Sequence, residues 1–116
     1  MPTTEEDSES FADHLNEVRL RGRLASSATQ RELPSGDQLV VFRVIVDRPR
    51  SRGEPRRRID ALECVAWSAR IRHTVLRWSP GELVDVEGHL RRRFRRTDDG
   101  PVSRVEVEVV RARCVR

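Results

Sequence analysis

The sequence predicts an all-β fold, a small closed barrel of five strands with one helix between the third and the fourth. Three observations predict it. Stretches with a period of 2 recur along the chain, with apolar residues on alternate positions. The period changes to 3.6 once, directly after Trp67. Two glycines, Gly22 and Gly88, stand inside strand-like segments, and Gly22 falls where an apolar side chain was due. Mid-strand glycines let a short sheet coil tightly enough to close, and closure removes sheet edges in a chain with little apolar content.

The elements follow in order. Residues 1–15 are polar and acidic and are expected to form a disordered leader or a frayed helix, leaving residues 16–116 as the folded domain. Glu17–Leu24 alternates, with Val18, Leu20 and Leu24 facing inward and Arg19, Arg21 and Arg23 outward; Gly22 there marks a bulge or a close backbone crossing. Ala25–Leu33 reads as a weaker continuation, and Pro34-Ser35-Gly36-Asp37 as a turn. Leu39–Val46 is nearly all apolar and predicts a strand buried on most of both faces. Asp47–Arg58 is a loop by its Pro, Gly and Ser content, carrying six arginines. Ile59–Trp67 is the central strand: Leu62, Cys64 and Ala66 point to the core, while Ala61, Glu63, Val65 and Trp67 form a working surface. Ser68 suits an N-cap, and Ile71, Val75 and Trp78 make one helical stripe before Ser79-Pro80-Gly81 ends it. Leu83–Phe94 is a strand with Val84, Val86 and Leu90 inward; by alternation Phe94 joins them and faces the core unless a bulge turns it out. A hairpin turn with Asp99-Gly100 follows, and Arg104–Val115 closes the barrel through Val105, Val107 and Val109. Five strands with a helix after the third is the order of an OB-fold. An SH3-like barrel lacks that helix, and a ferredoxin-like fold needs two.

Composition points to the partner. Of 116 residues 36% are apolar and 36% charged, and all 23 basic residues are arginine. Net charge is +4, unevenly spread: residues 1–17 carry six acids and no arginine, and the other 99 carry 23 arginines against 13 acids, a charge of +10. Such a body suggests a polyanion, the alternative being a solvated Arg/Glu surface. No run of about 18 apolar residues predicts a membrane span, and the acidic N-terminus has no apolar signal core, so a cytoplasmic, nucleoid-associated protein is expected. Cys64 and Cys114 read as free thiols, and His14, His73 and His89 have no metal-ligand spacing. No nucleophile–base grouping or phosphate loop is present, so neither an enzyme, a cofactor nor a small-molecule substrate is expected.

Three segments, in order, resemble the bacterial single-stranded DNA-binding protein family. Asn16–Leu24 is similar to its opening N-x-V-x-L-x-G-x-L, Leu62–Trp67 to the strand before its helix, and Val86–Arg91 to its V-x-G-x-L-x segment. The match runs over roughly residues 16–114. The resemblance implies an OB-fold that binds single-stranded DNA without sequence preference, in replication, repair or recombination, as a homo-oligomer (tetramer or dimer) built through the first strands. It also implies base stacking at four places. Trp67 occupies one and keeps the family's spacing to Gly81. Ala61 stands at the second, the third falls among Arg48–Arg52, and the fourth matches Arg95, with Phe94 one position before. The family's acidic partner-recruiting tail has no counterpart in the sequence up to Arg116.

The candidate interface is therefore Trp67 for stacking, the loop arginines Arg48, Arg50, Arg52, Arg56, Arg57 and Arg58 for phosphates or guanidinium stacking, and Arg91, Arg93, Phe94, Arg95 and Arg96 along the fourth strand. Trp67 as a lid on the barrel and the loop as a solvated charge run are the alternatives. Trp78 is assigned to the core. Two other functions compete, a protein-interaction OB module with weak or lost DNA binding and an RNA-binding OB module. The acidic leader is open to three readings: solubilising sequence, a competitor for the cationic groove, or a docking segment through Phe11.

Overall fold

Apolar alternation becomes six strands in the computed structural model, which describes residues 13–49, 53 and 58–115. These are β1 (Val18–Leu24), β2 (Thr29–Glu32), β3 (Gln38–Asp47), β4 (Ile59–Ala66), β5 (Leu83–Thr97) and β6 (Gly100–Cys114), with helix α1 (Ala69–Leu76) between β4 and β5. The sheet order is β1-β5-β6-β4-β3-β2, and the end of β1 returns to pair with β3 at Arg23↔Ile45 and Leu24↔Val44. Every pairing is antiparallel except β4 with β6. The expected closed barrel of five strands is a partly closed one of six, with its helix in the expected place.

The extra strand is β2. It is a hairpin partner of β3, registered from Thr29↔Val41 to Glu32↔Gln38, with the turn held by Leu33 N–H on Asp37 O at 2.8 Å. All four of its residues are exposed. A strand with no buried face leaves no alternation to read, so the sequence shows it only as a weak continuation of β1.

The core is built from valines. Val40, Val44, Val75, Val84 and Val86 are fully buried, Cys64 and Ala66 likewise, and Phe42 and Trp78 meet edge to face at 5.8 Å. Helix α1 closes over them with Ile71 and Val75 buried, and Trp78, expected on the helix stripe but placed just past the C-cap Arg77, is buried beside them. Its start is set by Ser68, whose Oγ accepts the Ile71 N–H at 3.2 Å, satisfying one of the helix's unpaired donors. The buried Cys64 thiol is pushed up to about 12, chiefly by desolvation with Glu106 and Glu63 adding to it, so it stays protonated and inert.

Both mid-strand glycines are places of close backbone approach. A Cβ on Gly22 would stand 2.1 Å from the Ile45 carbonyl oxygen, and one on Gly88 1.9 Å from that of Glu108. Next to Gly88 the β5–β6 register shifts: Glu87 faces Arg111 and Gly88 faces Val109, so Val110 is passed over. That bulge moves the inward parity of β6 from Val107 and Val109 to Ala112 and Cys114.

Three residues expected inside are not. Leu90 is 45% exposed, Phe94 75% and Val105 47%. Their parity is as expected, but β5 and β6 outrun the barrel by about half their length, and this face of the projecting hairpin is uncovered. On the opposite, outer face of β1, β5 and β6, Asp85 is 3% exposed and buried beneath arginines. Its Oδ2 accepts from Arg19 at 3.1 Å, Arg21 at 3.3 Å and Arg113 at 3.0 Å, and Arg19 first, then Arg21, hold its carboxyl below the usual range against the opposing effect of burial.

Candidate nucleic-acid interface

An open groove of about 900 Å³ runs over the outer face of β3 and β4, between β2 and the projecting β5–β6 hairpin. Its floor is apolar, with Leu39, Val41 and Val65 placed there because odd positions of β3 and β4 turn away from the core. Its rim carries Arg31, Arg93, Arg95 and Arg104, interleaved with Glu63 and Glu106. An apolar floor under a cationic rim suits a strand of stacked bases with phosphates at the edge.

Trp67 stands just after β4, half-buried, with its ring toward the hairpin. The Arg93 guanidinium carbon lies 4.8 Å from the ring centroid, a cation–π contact that joins the indole to the groove. The backbone beneath it is tied down: Arg72 Nε donates to the Trp67 carbonyl at 3.1 Å, and its Nη1 to Gln38 Oε1 at 2.9 Å. Arg93 is oriented in turn by an ion pair with Glu106. Arg104, directly across from Arg93 in the hairpin register, pairs with Glu63 at 3.1 Å.

The expected site residues divide into groups. Arg93 and Arg95 line the groove, and the exposed Phe94 borders it. Arg91 lies further down β5, where its Nε is 3.4 Å from Glu108 Oε2. Arg96 is exposed and, by alternation, shares the other hairpin face with Arg92 and Phe94. Arg48 is held at the base of the loop: Nε and Nη2 grip Asp60 at 2.7–3.1 Å, its N–H bonds the Arg58 carbonyl at 2.8 Å, and the pairing lowers the Asp60 carboxyl from its ordinary value. Arg50, Arg52, Arg56 and Arg57 lie outside the described residues. The structure adds Arg31 and Arg104, which the sequence reading missed. Counting rungs back from the Asp99-Gly100 turn places Arg104 opposite Arg93; Arg31 sits on a strand that shows no pattern.

This is an OB-fold barrel with a cationic groove across one sheet face, and comparison with known proteins places it more narrowly. The profile of the Single-strand binding protein family matches residues 15–115, so the chain belongs to that family. Single-stranded DNA-binding protein 3 of Listeria innocua is 29% identical over 102 residues, 88% of this chain and 62% of that protein. The single-stranded DNA-binding protein of Halalkalibacterium halodurans is 31% identical over 88% of this chain and 60% of its own length. The chain thus spans about three fifths of these relatives. A solved structure described as the Plasmodium falciparum SSB complex with ssDNA superposes with a TM-score of 0.72 at 22% identity, covering 89% of this chain and 95% of that one, a likeness in fold.

Proposed function

We propose that this chain binds single-stranded DNA without sequence preference in the groove between β2 and the β5–β6 hairpin. Family membership supports the reading, as do the names of the curated relatives and the ssDNA complex with which the fold superposes. The observation that carries it is the half-buried Trp67 ring with Arg93, one of the arginines that line the cationic, apolar-floored groove, over its face. A face that holds a guanidinium also suits a base, so on this reading the ring offers a sequence-tolerant platform worth about 1–3 kcal/mol per base. Arg31, Arg93, Arg95 and Arg104, with the loop arginines, serve the phosphates. The chain is not an enzyme on this reading. It serves replication, repair or recombination in the cytoplasm, as a homo-oligomer.

With few aromatics, charge dominates. Neutralising about five phosphates gives a log–log salt slope near −3.5. Fluorescence anisotropy of labelled oligo-dT at several salt concentrations measures this slope. Failure to bind at low salt returns the barrel to a protein-interaction role, and a strong preference for oligo-U over oligo-dT makes it an RNA binder.

A further inference from the structure

The projecting hairpin has an uncovered face of its own. Leu90, Arg92, Phe94 and Arg96 share it by alternation along β5, and the register adds Val105 opposite Arg92. It continues the inner face of the barrel past the last residue that anything packs on. Three exposed apolar side chains interleaved with two exposed arginines call for an occupant that is both apolar and acidic.

The chain supplies one at that spot. Asn16 lies two residues before β1, and its side chain makes both hydrogen bonds that a further rung of β1 would make to Leu90. Its Nδ2 donates to the Leu90 carbonyl at 2.9 Å, and its Oδ1 accepts the Leu90 N–H at 2.8 Å. The leader is therefore tethered at the first residue of the uncovered face. Among the described residues, nothing pairs with that edge of β5 beyond Asn16. Leu15, next in line, is 80% exposed. The leader also carries Phe11, together with Glu5, Glu6, Asp7, Glu9 and Asp13. Phe94 is about 13 Å along β5 from the tether at ~3.3 Å per residue, within reach of four or five residues of chain.

We propose that the leader docks in cis across this hairpin face, Phe11 against Leu90, Phe94 and Val105, with its acids beside Arg92 and Arg96. Docked there, the leader competes with a polyanion for the hairpin. Charge alone suggests only that leader and groove attract; the structure names the face and the tether. The docking stands without the DNA-binding reading, and only its competitive consequence rests on it.

The test uses the full chain in two ways. Without DNA, nuclear Overhauser contacts are sought between the Phe11 ring and the Leu90 or Val105 methyls, in a mixture of isotope-labelled and unlabelled chains. Contacts within one chain establish the docking. Their absence, or contacts only between chains, overturns it, the latter in favour of a second copy. Affinity for oligo-dT is then compared at low salt with a variant carrying Phe11→Ala and the five leader acids as amides. A leader docked nine-tenths of the time lowers apparent affinity about tenfold, so the variant binds about tenfold tighter. Equal affinity, with contacts present, overturns the competition. Binding by neither protein strikes the DNA-binding reading and leaves the docking result standing.

Discussion

Strand β5 is two materials joined at Gly88. From Leu83 to Glu87 it alternates Val84 and Val86 into the core against an Asp85 sealed under three arginines. From His89 to Thr97 it carries five arginines and nothing fully buried. In the first half a side chain's role follows from burial, because each valine removed from water contributes about 1.5–3 kcal/mol. In the second half it follows from pairing. Arg91 meets Glu108, Arg93 meets Glu106, and across the hairpin Arg104 meets Glu63. The difference teaches that a cationic surface is not the sum of its arginines: a phosphate must compete with carboxylates already in place.

Substitutions can break that contrast, the largest effects falling in the barrel. Trp78→Ala removes the partner of Phe42 and should cost about 3–5 kcal/mol, read as a much lower melting temperature by circular dichroism. Gly22→Ala forces a Cβ against the Ile45 carbonyl and should cost about 2–3 kcal/mol in the same assay. A melting temperature unchanged for Gly22→Ala would show that the closure at β1–β3 is looser than described. On the hairpin side, Trp67→Ala should leave the fold intact and weaken oligo-dT binding by about 1–3 kcal/mol.

Asp85→Asn tests the border between the two. The Asp85 carboxyl is lowered in the folded protein, so its ion pairs stabilise above the unfolded carboxylate range, near 3.9, and that contribution is lost as pH falls through the lower folded value. The variant should melt roughly 5 °C lower at neutral pH, about 1 kcal/mol because the arginines are more than half exposed, and should converge with the parent in strong acid. Glu106→Gln is the smallest change. It releases Arg93 for phosphate, so binding should tighten slightly at low salt, with the salt slope steeper by at most about 0.7.

Most of the barrel was legible because burial writes itself into alternation. The strip Val84–Val86, the buried Ile71, Val75 and Trp78 and the Ser68 cap each have one physical reading, while Gly22 had two, a bulge or a close crossing, of which the structure has the crossing. Strand β2 was not legible, since Thr29–Glu32 buries nothing. Leu90, Phe94 and Val105 were assigned correctly to a face and wrongly to the core, because alternation fixes a side and not what covers it. In the site, Trp67 and Arg93 could be named from the chain, but their stacking could not. Nor could the glutamates that hold Arg93 and Arg104, for those pairings cross from one strand to another.

The central claim is that Trp67 and the hairpin arginines form one binding surface, and the two tryptophans make it directly measurable. Trp78 is buried against Phe42 and serves as an internal reference, whereas Trp67 is half-buried and touches the groove arginine Arg93. Tryptophan emission is followed while oligo-dT is added at low salt, for the parent and for Trp67→Ala. The structure predicts saturable quenching in the parent, its loss in the variant, and a weaker variant by anisotropy. Quenching that survives in Trp67→Ala, or parent binding with no change in emission, would contradict it and leave the groove as a surface that holds phosphates alone.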